Sequence, residues 1–212
     1  MASGEITLES AERLPASTSA DTDLVELCRQ GDPEAFSRLV GLHERMVFNL
    51  ASRLLGDVEE ARDLSQEVFL QVYRHLGRFE GRSSLKTWIY RIVVNLCHNR
   101  RRFWKRRRVD KCLALEDLTA AEEAKASAAL GTGSDPFSQL DRSERARRVQ
   151  AALLEIPFHH RTVLILREVE GLSCDAIAST LGLPEGTVKS RLARARDALR
   201  DRLLPIPERG HP

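Results

Sequence analysis

The sequence has little of what builds metal centres, disulfide frameworks or membrane spans. Its four cysteines lie far apart with no Cys-x-x-Cys spacing, and its six histidines make no ligand spacing beside them. We therefore expect no zinc site, no disulfide and no cofactor. No stretch approaches 18 apolar residues, and no basic start followed by an apolar run opens the chain, so we expect a cytoplasmic protein that does not insert into a membrane.

Net charge is also nearly absent, at +2 over 212 residues. Affinity for a polyanion must therefore come from clustered charge rather than from the total. Residues 91–108 carry eight Lys or Arg and no acid, whereas residues 110–135 carry six acids and two bases. Four more Lys or Arg fall within the eight positions from Lys189 to Arg196.

Helical spacing of apolar residues runs through most of the chain, and no strand alternation is visible. The pattern predicts an all-α protein of two small helical domains, residues 21–110 and 139–204. We expect a flexible acidic linker over residues 111–138, and tails at residues 1–20 and 205–212. The second domain is predicted to contain a helix-turn-helix.

Three helices are predicted in the first domain from their end signals. Asp32 followed by Pro33 opens one that Gly56 ends, and Asp57 with Glu60 opens a second that ends at Gly77. After the stretch RFEGRSS, Ser83 or Ser84 caps a third helix that runs into the basic segment NRRRFWKRRR.

The helix-turn-helix is predicted from a packing skeleton in the second domain. Ala178 is a small residue facing the next helix, Gly182 takes the turn, and Val188 locks the two helices together. Ser173 can cap the first helix, and Pro184 is tolerated at the start of the second. The alternative is a plain helical hairpin with a solvated charged face.

A helical wheel of the second of these helices separates an apolar face from a polar one. The apolar face predicts burial against the preceding helix, and it comprises Val188, Leu192, Ala195 and Leu199. The opposite face holds Ser190, Ala193, Arg194 and Asp197, flanked by Lys189, Arg191 and Arg196. In a major groove, arginine can pair with guanine, and flanking cations can hold phosphates.

The basic segment at the end of the first domain is less specific, since a cationic run can be a solvated tail or a nucleic-acid surface. Its helix carries Asn95 and Asn99 one turn apart, and the loop before it contains Phe79, Arg82 and Ser83. Aromatic and amide groups beside a cationic track suit capture of unpaired bases. Trp88 and Phe103 fit a hydrophobic core equally well.

Two stretches and the acidic gap between them resemble the extracytoplasmic-function (ECF) group of bacterial sigma factors. They are EEARDLSQEVFLQVYRHLGRFEGRSSLKTWIYRIVVN (59–95) and IPFHHRTVLILREVEGLSCDAIASTLGLPEGTVKSRLARAR (156–196). The resemblance implies an initiation subunit that binds core RNA polymerase, without catalysis of its own. Its first domain would open and read the minus-10 promoter element, and its second would read the minus-35 element as duplex. An anti-sigma factor is an expected partner.

The resemblance also assigns roles to particular residues. It implies core polymerase docking by Asp63, Gln66 and Glu67. It implies minus-10 recognition by Phe79, Ser83, Asn95, Asn99 and Arg100. It implies minus-35 recognition by Thr187, Lys189, Ser190, Arg191, Arg194 and Arg196. The linker would mimic a nucleic-acid backbone or serve as a simple tether.

Two other classes of protein remain to be weighed. An activator or repressor could bind duplex operator DNA through residues 173–200, but the cluster from Phe79 to Arg108 would then have no role. An enzyme is disfavoured, because no catalytic triad spacing, paired-carboxylate motif or phosphate loop appears. The adjacent His159 and His160 are interpreted as a surface feature at a helix start.

Overall fold

The computed structural model describes residues 19–112 and 136–204, and within these ranges the chain forms eight α-helices and no strand. We call residues 19–112 the first domain and residues 136–204 the second. In chain order the helices are α1 (Ser19–Arg29), α2 (Pro33–Leu55), α3 (Val58–His75), α4 (Leu85–Cys112), α5 (Pro136–Glu155), α6 (Phe158–Glu168), α7 (Cys174–Leu181) and α8 (Glu185–Leu203), with a 3-10 turn at Leu76–Arg78. The all-α prediction is confirmed.

The predicted ends of α2 form as expected. The Asp32 carboxylate accepts hydrogen bonds from the backbone N–H groups of Glu34 and Ala35, at 2.8 and 3.3 Å. Gly56 adopts a left-handed backbone conformation, with φ of 81°, and its N–H donates to the carbonyl of Ser52. Both ends of the helix therefore satisfy backbone groups that a helix leaves unpaired.

The next two helices differ from prediction only at their margins. Asp57 caps α3 by accepting from the Glu60 N–H at 3.0 Å, but α3 ends at His75 because the last turn tightens into the 3-10 turn. Of the two serines proposed to start α4, Ser84 makes the bond, with its Oγ accepting from the Thr87 N–H at 3.1 Å.

The helices enter the predicted linker from both sides. Helix α4 continues to Cys112, past the expected boundary at residue 110, and α5 begins at Pro136, before residue 139. The rest of the linker, residues 113–135, lies outside the described residues, as do residues 1–18 and 205–212 of the two tails. The predicted acidic tether or backbone mimic therefore stays a prediction.

Arg161 of α6 lies between the two domains with only 1% of its surface exposed. Its guanidinium donates to the carbonyls of Leu54, at 2.7 Å, and Leu153, at 3.2 Å. These carbonyls belong to the last turns of α2 and α5, where the helix dipole carries partial negative charge. Burial lowers the pKa of Arg161 to about 10, so the side chain stays charged at neutral pH.

A second set of contacts holds the helix-turn-helix against α4. The Tyr90 hydroxyl donates to the Glu170 carboxylate at 2.6 Å. Arg91 donates to the carbonyls of Ser179, at 2.7 Å, and Thr180, at 3.1 Å, at the end of α7. The two helical domains are thus in direct contact, which the sequence patterns did not predict.

Candidate nucleic-acid interface

The second domain contains the predicted helix-turn-helix. Ser173 caps α7 by accepting a hydrogen bond from the Ala176 N–H at 3.0 Å. Gly182 ends α7 in the left-handed conformation, with φ of 63°, where a residue with a Cβ would be strained. Ala178 and Val188 are buried between α7 and α8, as the packing skeleton predicted.

Helix α8 buries one face and exposes the other, as the wheel predicted, except that Leu199 is only half-buried. Val188, Leu192 and Ala195 are buried, whereas Ser190, Ala193 and Arg194 are exposed. The Ser190 hydroxyl donates to the Thr187 carbonyl at 3.0 Å, which keeps its oxygen available as an acceptor at the helix surface. The exposed face therefore presents a hydroxyl, a methyl group and a guanidinium side by side.

Two of the flanking cations of α8 form ion pairs on the surface. Lys189 lies 2.8 Å from the Glu185 carboxylate, a contact that raises the pKa of Lys189. Arg196 lies 2.5 Å from the Glu168 carboxylate of α6. Exposed pairs of this kind contribute little to stability, so both cations can exchange a carboxylate for a phosphate at small cost.

Helix α4 carries the amides proposed for minus-10 recognition on an accessible surface. Asn95 is half-buried and Asn99, one turn on, is exposed. Arg100 forms ion pairs with α3, because its two terminal nitrogens lie 2.6 Å from the Glu60 carboxylate and 3.1 Å from the Glu67 carboxylate. Asn99 and Arg100 line an open groove of about 520 Å³ between α3 and α4, which the Phe103 and Trp104 side chains complete, whereas Asn95 lies outside it.

The loop residues proposed for the same role lie inside the first domain. Phe79 is 6% exposed and its ring lies 5.3 Å from that of Trp88, while Ser83 is 8% exposed. Arg29 of α1 donates to the Phe79 carbonyl, which fixes the loop against α1. The structure thus brings Asn95, Asn99 and Arg100 to the surface and leaves the two loop side chains in the interior.

The polymerase-docking residues predicted on α3 share an exposed face. Asp63 and Gln66 are exposed and Glu67 is half-buried. Leu70 and Tyr73 continue this face and are 56% and 64% exposed, respectively. The sequence reasoning missed this apolar extension, although the i, i+3 and i+4 spacing from Asp63 signals it.

Two features of the part of the chain that the structure describes concern metal-binding clusters and membrane-spanning helices. Residues 19–112 and 136–204 hold no group of three or more His, Cys, Asp or Glu that could bind a metal ion. None of the helices in those ranges is both long and apolar enough to cross a lipid bilayer.

A helix-turn-helix with a basic recognition helix, joined to a second basic helical unit, is typical of a DNA-binding protein. Family comparison agrees: Sigma-70 region 2 matches residues 39–108, and Sigma-70 region 4 matches residues 146–199. The chain is 38% identical over 186 residues to the RNA polymerase sigma-H factor of Pseudomonas aeruginosa, covering 88% of this chain and 95% of that one. It is 37% identical over 192 residues to the ECF RNA polymerase sigma-E factor of Escherichia coli, covering 89% and 97%.

The fold agrees with these relatives. The chain is similar to sigma factor RpoE of Bartonella quintana, solved in complex with the anti-sigma factor NepR, with a TM-score of 0.62 and 24% identity over 79% of this chain and 96% of that one. The protein belongs to the ECF group of RNA polymerase sigma factors. It is therefore a transcription initiation factor, and the rival reading as an operator-binding regulator is not favoured.

Proposed function

We propose that α8 reads the minus-35 element as duplex DNA, with Ser190 and Arg194 on the base edges. The observation that carries this proposal is the division of α8 into a buried apolar face and an exposed face bearing these two side chains. Arg194 can donate two hydrogen bonds to guanine, and Ser190 can bond to several base edges. Lys189, Arg191 and Arg196, with Thr187 beside them, fix the register by holding phosphates.

The first domain is proposed to open and read the minus-10 element through α4. Asn95 and Asn99 offer amide donors and acceptors to an unpaired base, and the basic end of α4 follows the strand backbone. Arg100 serves this surface by positioning α4 on α3, since its guanidinium is held by Glu60 and Glu67. Phe79 and Ser83 can contact the minus-10 element only if their loop rearranges, because both side chains are buried.

Core polymerase is proposed to dock on the exposed face of α3. Asp63, Gln66 and Glu67 supply polar groups, and Leu70 and Tyr73 add an apolar end to the same face. Mixed faces with a central aromatic or aliphatic anchor are typical of stable protein interfaces. The chain would then act in the cytoplasm, where the polymerase is, with no catalysis of its own.

An anti-sigma factor is the further partner that we propose. A free initiation subunit would otherwise compete for the polymerase at all times. RpoE of Bartonella quintana was solved with such a partner, and the apolar end of the α3 face would be a natural target for one here.

Transcription with purified components tests the function. The chain plus core polymerase is expected to initiate from a subset of genomic fragments, whereas the chain alone shifts none of them tightly. Arg194→Ala should change the strength of initiation at promoters with an intact minus-35 element. Tight binding of operator fragments by the chain alone, with no initiation, would instead support a classical regulator.

A further inference from the structure

The arginine at the end of α1 bonds to the loop between α3 and α4. Arg29 donates from Nε to the carbonyl of Leu76 at 3.5 Å, and from Nη2 to the carbonyl of Phe79. These carbonyls lie 47 and 50 positions further along the chain. One guanidinium therefore joins α1 to the first residue of the 3-10 turn and to the residue that follows the turn.

This bonding differs from the usual role of an arginine in the last turn of a helix. Such a side chain often bonds the free carbonyls of its own helix. In α1 the carbonyls of Glu26, Leu27 and Cys28 already accept backbone N–H groups of residues 30–32, at 3.1 to 3.2 Å. Within α1, Arg29 forms a partly exposed ion pair with Glu26 at 3.4 Å. Its bonds to the loop are therefore contacts between elements and not a cap of α1.

The loop has a buried base and a more exposed tip. Phe79 is 6% exposed, and its ring lies 5.3 Å from that of Trp88 on α4. The next residues, 80–82, are exposed or half-buried, and we call them the loop tip. The base is thus fixed from two sides, by Arg29 through the backbone and by Trp88 through the ring.

The anchored loop adjoins the amides proposed to capture an unpaired base. Trp88 lies on the same stripe of α4 as Asn95 and Asn99, because these positions are about two and about three helical turns further on. The spacing places Asn95 about 10 Å from Trp88 along the helix axis. A loop that is held on Trp88 therefore stands at one end of the surface that carries these amides.

We propose that Arg29 is a positioning residue for minus-10 recognition, because it fixes the loop so that the loop tip receives the unpaired base beside Asn95. This inference rests on the proposed function of the first domain. A loop that is already held in place avoids part of the ordering cost of binding. Phe79 then anchors the loop inside the domain, and backbone groups of the loop tip contact the base. Without the bonds from Arg29, the loop samples more conformations and discriminates less between bases.

The fluorescence of Trp88 reports the position of the loop in the free chain. The chain has two tryptophans, so W104F leaves Trp88 as the single one. In this background R29A should shift Trp88 emission to longer wavelength and increase its quenching by acrylamide, because the Phe79 ring moves away. F79A gives the upper limit of that change. E26A removes the same ion pair as R29A but keeps both carbonyl bonds, so its emission should stay unchanged.

Holoenzyme reconstituted from the full chain and core polymerase tests the effect on recognition. Competition between promoters with single minus-10 substitutions measures base preference. R29A should reduce the preference at one minus-10 position several-fold, and E26A should keep it. R29K retains the charge but lacks the planar fork of a guanidinium, so it should recover only a small part of the preference. Full recovery in R29K would show that charge alone matters and would overturn the proposal.

A further variant separates this inference from the function on which it rests. N95A/N99A removes the amides of α4 and should lower the same base preference. If N95A/N99A selects promoters like the unaltered chain, the proposed function of α4 is wrong and the inference falls with it. If N95A/N99A lowers the preference but R29A keeps it, or if Trp88 emission is unchanged in R29A, the positioning role of Arg29 alone is overturned. R29K gives the same two readouts if R29A does not fold.

Discussion

Tyr90 of the first domain donates a hydrogen bond to Glu170 of the second, with 2.6 Å between the two oxygens. The bond joins α4, which carries Asn95 and Asn99, to the turn that precedes the helix-turn-helix. Promoter elements at minus-10 and minus-35 lie about 25 base pairs apart, or roughly 85 Å along the duplex axis. The Tyr90–Glu170 hydrogen bond must therefore break when one chain occupies both elements.

Weakening the contact should favour separated domains. Y90F removes the bond to Glu170, and R91A removes the two bonds to the last carbonyls of α7. Each such bond contributes on the order of 1 kcal/mol. We expect the double variant to have a larger radius of gyration by small-angle X-ray scattering while its helix content by circular dichroism stays unchanged. An identical scattering profile would show that these bonds do not hold the domains together.

Gly56 offers a sharper probe of the same interface. It adopts φ of 81°, and a Cβ there would lie 2.5 Å from both Leu154 methyl groups of the second domain. Gly31 has a similar φ of 84° with nothing within 4 Å of its Cβ position. G31A should therefore cost about 1 kcal/mol of stability from backbone strain alone, and G56A should cost more.

The comparison between the two glycine variants is made by chemical denaturation. The additional loss in the free energy of unfolding of G56A, relative to G31A, measures the clash with Leu154. Truncating the Leu154 side chain in G56A/L154A should restore part of that loss. Equal losses for G31A and G56A would mean that the Leu154 side chain does not press on Gly56 in solution.

Arg100 should act through the packing of α3 on α4. Its guanidinium is paired with Glu60 and Glu67, and the three side chains are 27%, 29% and 43% exposed. Since the pairs are partly exposed, we discount them for solvent screening and expect R100A to lower the free energy of unfolding by about 1 kcal/mol. R102A, at an exposed position two residues on, removes the same charge without an ion pair and should leave the melting temperature within error.

Arg194 should contribute to sequence selection. R194A is expected to weaken minus-35 recognition by about 1–3 kcal/mol and to flatten the preference at one base pair, because a bidentate contact with guanine would be lost. R148A, which removes an exposed arginine on α5, is the matched control and should leave promoter choice unchanged. The contribution of Arg194 is measured by competition between promoters with single minus-35 substitutions, using reconstituted holoenzyme. Unaltered promoter selectivity in R194A would show that Arg194 does not recognise a base of the minus-35 element.

Local signals were sufficient to predict the ends of α2 and the helix-turn-helix. Asp32 and Gly56 act within one turn of their own helix, and Val188 fits a helical period, so neighbouring residues alone determine these features. The burial of Phe79 was not predicted, because it depends on Trp88 and on Arg29 from another helix.

Long-range contacts account for the rest of what the sequence did not predict. Tyr90 and Glu170 are 80 positions apart, and neither residue type signals a partner at that distance. Arg100 lies in the basic segment from which DNA binding was predicted, but its guanidinium forms ion pairs with Glu60 and Glu67 on α3. Which cations of a run are free to meet a phosphate is decided by tertiary packing.

Photo-crosslinking of the holoenzyme to a promoter tests most directly whether the two domains engage two separate sites. A photoreactive side chain would replace Ala193 on α8 or Arg102 on α4, two exposed positions. We predict crosslinks at the minus-35 element from position 193 and at the minus-10 element from position 102, about 25 base pairs apart. Crosslinks from both positions to one element, or to none, would contradict the account.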